Sequence, residues 1–512
     1  TFKGIMGDSN NNNSGGFAKT TDFKWLGVGL VIFLLIALMP TPDSMLEKAK
    51  EVFGEQNNVD IATKALNIKL IIALLSTCVV FFATEAVPMP AVALLIGLVQ
   101  LFFGITEPNK IAYTYSHDAV WFIAGSLALG STLVKYGLDK RVGMLVINLA
   151  GTKTRNIVIG ILLGTAIPTA FVGEHAVAAM YVPIALALFT LTNKSTPSPK
   201  LGTLLMVTIA VGCMIGGPMS PTGGARNALM IGFLANLQNP IEVSFVQWLS
   251  MGVFYTFAMS IVMSILLPIL FKPEVDDLSD AVNAIKQDLA KHGSMTKQQY
   301  IVAFVMFCVV FLWITDKSLV KSILGFSLGL GGIAIAGAVT YMILGLTSWK
   351  DYEEKVSWGV IVLYAGCISL GKVFKATGAS SWFADQIMNL VAPLGLDSGV
   401  GLVILMAVIG AVLTNLMSAG ATVAVIGPVV LDMAVASGTN PLLVGVGLAI
   451  STSMAYWLVI GTPASSIVYA SGQLEPKDFI RMATLGWPAA LIVLSIMVIV
   501  YWTGILQIPV TI

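Results

Sequence analysis

Long apolar stretches without a single charged residue dominate the chain. Each is longer than the roughly 18 residues that mark a candidate membrane-spanning helix. Six such stretches cover residues 201–225, 243–271, 322–349, 398–431, 433–474 and 482–512. This pattern predicts an all-α polytopic membrane protein that lies in a lipid bilayer.

Polar and Gly/Pro-rich interruptions divide the chain into eleven predicted transmembrane helices and two re-entrant hairpins. The hairpins are expected at residues 156–192 and 399–435, where paired apolar limbs are short. Breaks at 216–224 and 461–463 interrupt two of the helices. The eleven helices are expected near 24–40, 65–84, 87–104, 118–138, from 201 through the first break, 245–271, 299–316, 321–346, 356–378, 440–472 and 481–505.

The second half of the chain repeats the first. Ala124 and Gly125 recur as Ala365 and Gly366, 241 residues later. The hairpin centres recur after 245 residues and the helix breaks after 238. Five crossings and one hairpin in each copy make an odd number of crossings, so the copies must have opposite orientations. Inverted repeats with broken helices are typical of secondary transporters.

These units give five segments, and their charges predict an orientation. Lys and Arg concentrate in the segments that lie inside when the N-terminus is cytoplasmic, which favours that orientation in a bacterial inner or plasma membrane. The segments are a disordered polar tail (1–23), a first helix with an outer segment (24–64), repeat 1 (65–271), a cytoplasmic linker (272–298) and repeat 2 (299–512).

Composition excludes several classes of function. With 28 basic and 27 acidic residues, the chain lacks the broad basic face of a nucleic-acid-binding protein. Its four cysteines are isolated and its three histidines are scattered, so no metal site and no cofactor is expected. An intramembrane enzyme would need a nucleophile and a base close together. His117 and His292 are expected in solvent, and the Gly-rich stretch 325–337 is expected to allow close helix packing.

Candidate chemistry concentrates at the hairpin tips and the helix breaks. Irregular backbone at membrane depth is tolerated only inside protein or around a water-filled cavity. The first tip holds Glu174 and His175, and the first break holds Arg226. Two interpretations stay open: a Glu174–Arg226 or Glu174–His175 pair that only holds the hairpin, or a fixed positive site for an anionic substrate. Residues 418–420 and 461–463 of the second copy are uncharged. The paired hairpins favour a gated carrier over a channel.

This arrangement resembles the divalent anion:sodium symporter family over about residues 65–505. The family's two Ser-Asn-Thr tips are replaced here by residues 173–175 and 418–420. The second break, from Gly461, follows the family's Thr-Pro-Pro-like turn, whereas the first has Arg226 where proline is usual. The resemblance implies a homodimer that works as an elevator, with tips that bind carboxylate and cage sodium. The expected substrate-binding residues are Gly173, Glu174, His175, Thr222, Gly223, Gly224, Arg226, Asn227, Ser418, Ala419, Gly420, Gly461, Thr462 and Pro463.

The departures from the family pattern decide the expected coupling. The Asn and Thr oxygens of both tips are replaced, and Arg226 brings a permanent positive charge. An empty site with an uncompensated cation would cross the membrane poorly. We therefore expect sodium-independent exchange of di- or tricarboxylates such as succinate, malate, 2-oxoglutarate or citrate. The alternative is a sodium- or proton-coupled dicarboxylate symporter, in which Glu174 would carry the proton.

Overall fold

A computed structural model describes residues 21–54, 60–138, 141, 145, 149–283 and 294–512. Within these residues the chain is built from α-helices, with short 3-10 and π segments at breaks and ends. Extended pairing among them is limited to two isolated bridges, Lys153 with Asp277 and Thr439 with Thr511. His292 and nearly all of the expected polar tail lie outside the described residues.

Eleven α-helices in the first half of the chain are described over their whole length. They are α1 (Phe23–Leu38), α2 (Asp43–Phe53), α3 (Ile61–Thr84), α4 (Met89–Phe102), α5 (Pro108–Tyr115), α6 (Asp118–Lys135), α7 (Thr154–Val172), α8 (Glu174–Ser195), α9 (Pro199–Gly216), α10 (Ala225–Ala235) and α11 (Phe245–Leu270). The hairpin limbs α7 and α8 have 19 and 22 residues and are longer than expected. By length and composition, each limb could cross a bilayer.

The second half of the described chain also contains eleven α-helices. They are α12 (Lys297–Thr315), α13 (Lys321–Leu324), α14 (Gly329–Ile343), α15 (Trp349–Lys355), α16 (Trp358–Ala376), α17 (Ala379–Val391), α18 (Gly399–Leu413), α19 (Ala419–Ala436), α20 (Pro441–Ser451), α21 (Pro463–Tyr469) and α22 (Pro476–Ile496). Two features differ from the expected spans. The helix expected at 321–346 is split into α13 and α14 at Gly325, and α17 is an additional helix before the second hairpin.

Local sequence explains where the broken helices stop and start. Pro218 has no backbone N–H to donate to the last turn of α9, and two 3-10 turns follow before α10 begins. In the second copy Thr462 caps α21, and Pro463 takes the first helical position, where a missing N–H costs nothing. The second interruption is wider than expected, because α20 ends at Ser451 and residues 452–462 are not α-helical.

The described helices confirm an all-α polytopic membrane protein. Ten of them are long and apolar enough to cross a bilayer, and the number reaches twelve when each of two bent pairs counts as one span. On α12 the side chains of Phe304, Phe307 and Phe311 are 65%, 66% and 46% exposed and lie on one helix face. Such a stripe of exposed aromatic side chains fits contact with lipid rather than water.

Two glycine contacts show how the halves pack together. A Cβ atom on Gly125 in α6 would lie 2.5 Å from the Cβ of Ala334 in α14. A Cβ atom on Gly366 in α16 would lie 2.6 Å from the Cβ of Ala93 in α4. Gly366 follows Gly125 by 241 residues, and Ala334 follows Ala93 by the same number. The two contacts are therefore the same pair of positions with the halves exchanged. This reciprocal contact is what a twofold relation between two repeats requires.

Candidate functional site

The first hairpin tip is a glycine turn between two helices. Gly173 has φ +93° and lies between Val172, the last residue of α7, and Glu174, the first residue of α8. That backbone conformation favours glycine. The Glu174 carboxylate therefore lies at a helix N-terminus, where free N–H groups favour negative charge. His175, the next residue, is exposed.

The first break is fastened to the hairpin by a small hydroxyl cluster. The carbonyl oxygen of Ala170 in α7 accepts hydrogen bonds from the hydroxyls of Ser220 and Thr222, the latter at 2.7 Å. These two hydroxyls also lie 2.8 Å apart. The break and the hairpin limb are thus one hydrogen-bonded unit. Gly223 lies inside it, since a Cβ there would approach the Gly217 carbonyl oxygen at 2.4 Å.

Asn227 closes the break and leaves one polar atom unused. Its Nδ2 donates to the carbonyl oxygens of Gly217 at 2.9 Å and Ser220 at 2.7 Å. Because both partners are acceptors, they fix which side of the amide carries nitrogen. The opposite atom, Oδ1, is buried and has no donor among the described residues. Buried oxygens are normally satisfied, so this one is a candidate ligand for a cation.

Arg226 and Glu174 form a largely buried ion pair. Arg226 Nη1 lies 3.2 Å from Glu174 Oε1, and the side chains are only 6% and 11% exposed. Gly217 makes room for the guanidinium, because a Cβ there would lie 2.1 Å from Arg226 Nη2. The expected uncompensated cation is therefore wrong: a carboxylate 52 residues earlier balances it.

The guanidinium still has unused donors. Arg226 Nε and Nη2 are buried and find no hydrogen-bond acceptor in the described part of the chain. Leaving a buried charged donor unsatisfied costs more than leaving a neutral one. A bound carboxylate would satisfy both positions while Glu174 keeps Nη1. The two interpretations of these residues are thus compatible, since one guanidinium can hold the hairpin and contact an anion.

Tyr364 lies against the second tip, and sequence reasoning missed it. A Cβ on Gly420 at the second tip would lie 2.1 Å from the Tyr364 hydroxyl oxygen. The charges of Arg226 and Glu174 also act on this buried tyrosine. The second tip therefore contacts this side chain of α16, and the charged pair of the first copy lies near enough to act on it electrostatically. The available signal was a hydroxyl-bearing residue directly before the repeated Ala365–Gly366 pair.

The second tip is fastened by an asparagine that the sequence interpretation overlooked. Asn415 donates from Nδ2 to the Ala411 carbonyl oxygen at 2.7 Å and to that of Met454 at 3.3 Å. Its Oδ1 accepts the N–H of Trp457 at 2.9 Å. The neighbouring Thr414 hydroxyl donates to the Thr452 carbonyl oxygen at 2.7 Å. Amide and hydroxyl groups are thus present just before residues 418–420, and they bind the hairpin to the unwound segment.

Two of the expected residues of the second copy, Ser418 and Thr462, are helix caps. The Ser418 hydroxyl accepts the N–H of Ala421 at 3.3 Å at the start of α19, which begins at Ala419. The Thr462 hydroxyl accepts the N–H of Ser465 at 3.2 Å. Side-chain caps of this kind use one lone pair of a hydroxyl and leave the other available.

His117 is a further correction. It was expected in solvent, but it is half-buried and caps α6, where its Nδ1 accepts the N–H of Ala119 at 3.2 Å. Its Nε2 lies 3.4 Å from Asn236 Nδ2, just beyond the end of α10. This histidine therefore takes part in the packing between α6 and α10.

Comparisons with known proteins agree on the class. The family model described as the sodium:sulfate symporter transmembrane region matches residues 21–508. A sodium-dependent dicarboxylate transporter, SdcS, of Staphylococcus saprophyticus is 26% identical over 496 residues, which cover 93% of this chain and 90% of the relative. The protein of the same name in Staphylococcus aureus is 27% identical over 444 residues, covering 82% and 83%.

Two solved transporter structures share the overall architecture. Neisseria gonorrhoeae MtrF, described with a class of antimetabolite efflux pumps, superposes with a TM-score of 0.57 at 13% identity and covers 89% of this chain and 97% of its own. Alcanivorax borkumensis YdaH superposes with a TM-score of 0.52 at 14% identity, covering 79% and 89%. At this identity the likeness shows the fold alone.

Proposed function

Because this chain belongs to the sodium:sulfate symporter family, the divalent anion:sodium symporters that its sequence resembles, we propose that it is a sodium-coupled dicarboxylate symporter of a cell membrane. The family match covers nearly the whole chain. The two staphylococcal relatives carry the name of sodium-dependent dicarboxylate transporters and align over most of their length. These relatives support both the dicarboxylate substrate and the coupling ion.

This proposal corrects the sodium-independent exchange expected from the sequence. The relatives are named as sodium-dependent, which contradicts exchange without sodium. The physical error lay in treating Arg226 as uncompensated, whereas Glu174 lies 3.2 Å away. A neutral pair does not hinder the return of an empty carrier. It also leaves the charge of a dianionic substrate to be balanced by other cations, which is a role for sodium.

The buried Asn227 Oδ1 is the observation that carries the sodium part of the proposal. It is a neutral carbonyl-type oxygen without a donor, and hard cations prefer oxygen ligands. Ser220 and Thr222 add hydroxyl oxygens in the same hydrogen-bonded unit, which the Ala170 carbonyl organises. We assign the sodium-binding role in the first copy to this unit.

The substrate is proposed to bind where the two tips approach Tyr364. Arg226 offers its unused N–H groups, and the N-termini of α8 and α19 point free backbone N–H groups at the tips. Ser418 and Thr462 would supply hydroxyls from the uncharged copy. The expected substrate-binding set, residues 173–175, 222–224, 226–227, 418–420 and 461–463, is retained as part of this proposal, with Thr222 and Asn227 now assigned to the sodium site beside the substrate.

Thermal unfolding of the purified protein tests the proposed binding directly. A ligand that binds only the folded state raises the unfolding temperature as its concentration exceeds Kd. Succinate should raise it in sodium chloride and should have little effect in potassium chloride of equal ionic strength. Sulfate, a dianion like succinate, and citrate, which is largely a trianion near pH 7, serve as competing anions. Equal stabilisation by succinate in both salts would contradict sodium-coupled binding.

Assembly and movement follow the family resemblance. A homodimer, an elevator-type movement of the tips against a scaffold, and a cytoplasmic N-terminus are part of the proposal. Cross-linking in intact membranes tests the dimer, and labelling of single cysteines placed in the 272–298 linker tests the orientation. A monomer in membranes, or a linker that reacts only from outside, would contradict these parts.

A further inference from the structure

A cavity of about 400 Å³ lies away from the tips, at the far ends of three helices that lead from them. Its walls come from the end of α10, the end of α16 and the second half of α19. This volume is within the range of small-molecule sites. The lining side chains that matter here are Phe233, Asn236, Lys372, Lys375, Pro428 and Asp432.

Helix geometry places this cavity in line with the tips. Lys372 follows Tyr364 by eight residues on α16, which is about 12 Å at 1.5 Å per residue. Asn236 follows Arg226 by ten residues, about 15 Å, along and just past α10. Both helices therefore run from the proposed substrate site to the cavity. Phe233, in the cavity wall, is buried against Gly371 and Gly427.

The cavity carries positive charge that the fold does not neutralise. Lys372 is half-buried, lies 5.0 Å from the ring centre of Tyr113, and has no carboxylate within 4 Å in the part of the chain that is described. Lys375 donates to the neutral carbonyl oxygen of Asn236 at 3.2 Å. The single lining carboxylate, Asp432, accepts a hydrogen bond from Ser380. Two ammonium groups against one carboxylate leave a net positive cavity.

We propose that this cavity is a second anion-binding site, an antechamber where a dicarboxylate binds to Lys372 and Lys375 before it reaches the tips. Each ammonium has three N–H donors, and those of Lys372 reach no hydrogen-bond acceptor among the described residues. The dicarboxylate identity rests on the proposed function, while the cavity and its charge do not. Binding here raises the local concentration of the anion at one membrane face.

Transport kinetics from each face test this role. The variants are Lys372→Gln, Lys375→Gln and the pair together, with Lys110→Gln as control, because Lys110 is 71% exposed on neighbouring α5. Vesicles of phosphatidylcholine alone exclude anionic lipid as the ligand. When succinate is supplied from the cavity face, the double variant should raise the KM for succinate by about fivefold without changing Vmax. This increase in KM should be smaller in high salt. From the opposite face, KM should not change.

A labelling experiment reads binding without transport. Ala376 is exposed in the cavity wall and four residues after Lys372, so Ala376→Cys places a thiol there with both lysines intact. An anionic thiosulfonate reagent should label it, and succinate should slow the labelling in sodium-free buffer. The unsubstituted protein gives the background, which is expected from the partly exposed Cys308, since Cys78, Cys213 and Cys367 are buried. The lysine double variant should label more slowly and lose the protection.

The outcomes separate the two proposals. If the protein shows no sodium-driven uptake but succinate still protects Ala376→Cys, the symport proposal fails and the antechamber stands. If sodium-driven uptake is normal but succinate gives no protection and the double variant keeps its KM, the antechamber is wrong and symport stands. Protection that disappears only when anionic lipid is added would assign the cavity to a lipid headgroup and overturn the antechamber.

Discussion

The two copies of the hairpin-and-break unit use different chemistry to do the same mechanical task. In the first copy a buried ion pair, Glu174 with Arg226, joins the tip to the break. In the second copy a neutral amide, Asn415, joins the tip to the unwound segment through two hydrogen bonds, to Met454 and Trp457. The second tip lies against Tyr364, and the charges of Glu174 and Arg226 act on the same tyrosine. The substrate site is therefore expected to be charged on one side and neutral on the other.

This difference has an energetic consequence. A buried ion pair gains little over a neutral arrangement, because desolvation offsets the attraction. Its loss is costly, however, because the partner stays buried and unpaired. A neutral amide with satisfied hydrogen bonds contributes about 1 kcal/mol for each bond. The first copy is thus the more sensitive one, and the following predictions test that ranking.

The largest expected effect is that of removing the carboxylate of the pair. Glu174→Gln leaves Arg226 buried without a counter-charge and should lower the free energy of unfolding by about 3 kcal/mol or more and abolish transport. The double variant Glu174→Gln/Arg226→Met should recover much of the stability but not the transport. The control is Glu475→Gln, which breaks an exposed pair with Lys477. Equal unfolding temperatures for Glu174→Gln and the control would contradict the ranking.

In the neutral copy, Asn415→Ala should lower the free energy of unfolding. It leaves the Met454 carbonyl and the Trp457 N–H without their partner, at a cost of about 2 kcal/mol. Thermal unfolding measures the cost, with the exposed Asn389→Ala as control. The sodium concentration for half-maximal uptake should change little in the protein that remains folded. A large shift in that concentration would place Asn415 in the ion site instead.

The corresponding change in the charged copy should weaken the binding of sodium. Asn227→Ala removes the free Oδ1 and should raise the sodium concentration for half-maximal uptake by about tenfold. Asn227→Asp keeps an oxygen and should retain more of the affinity. Sodium-dependent uptake of labelled succinate measures both variants. If Asn227→Ala lowers only the expression or the unfolding temperature, the residue is a structural clamp and not an ion ligand.

The smallest effect is expected at an ion pair outside the tips. Asp351 in α15 lies 3.0 Å from Lys135 and accepts the N–H of Ser348 at 2.9 Å. These contacts, the backbone N–H first, hold the pKa of Asp351 well below its usual range. A carboxylate with a lower pKa in the folded protein stabilises the fold at pH values above its pKa in the unfolded protein, which is near 4. This stabilisation is lost as the pH falls further.

The matching variant is Asp351→Asn, measured by thermal unfolding across pH. Its deficit against the unsubstituted protein should be present at pH 7 and shrink in acid. Transport at pH 7 should be nearly normal, because the pair does not contact the tips. A transport loss as deep as that of Glu174→Gln would show that charge pairs act on the mechanism wherever they lie.

The arrangement of the helices could be predicted because it depends on local signals. Apolar length defined the spans, and Pro218 and Pro463 marked the helix breaks. The Gly125 and Gly366 positions, found as a repeat in sequence, turned out to be reciprocal packing contacts. These features depend on short segments of the sequence, so a single sequence is enough to find them.

The electrostatics of the site could not be predicted in the same way. Whether Arg226 is free or paired depends on how a segment 52 residues earlier folds back, and the sequence left both possibilities open. Tyr364 and Asn415 acquire their roles only through contacts with other helices. A wrong choice about one ion pair was sufficient to reverse the expected coupling.

The central claim is that this protein carries dicarboxylate together with sodium, because the Glu174–Arg226 pair lets the empty carrier return and leaves the substrate charge to be balanced by sodium. The most direct measurement is uptake of labelled succinate into proteoliposomes that are empty or loaded with succinate, with sodium or potassium outside. The account predicts uptake into empty vesicles under an inward sodium gradient and very little with potassium. Uptake that requires internal succinate and is equal in sodium and potassium would contradict it.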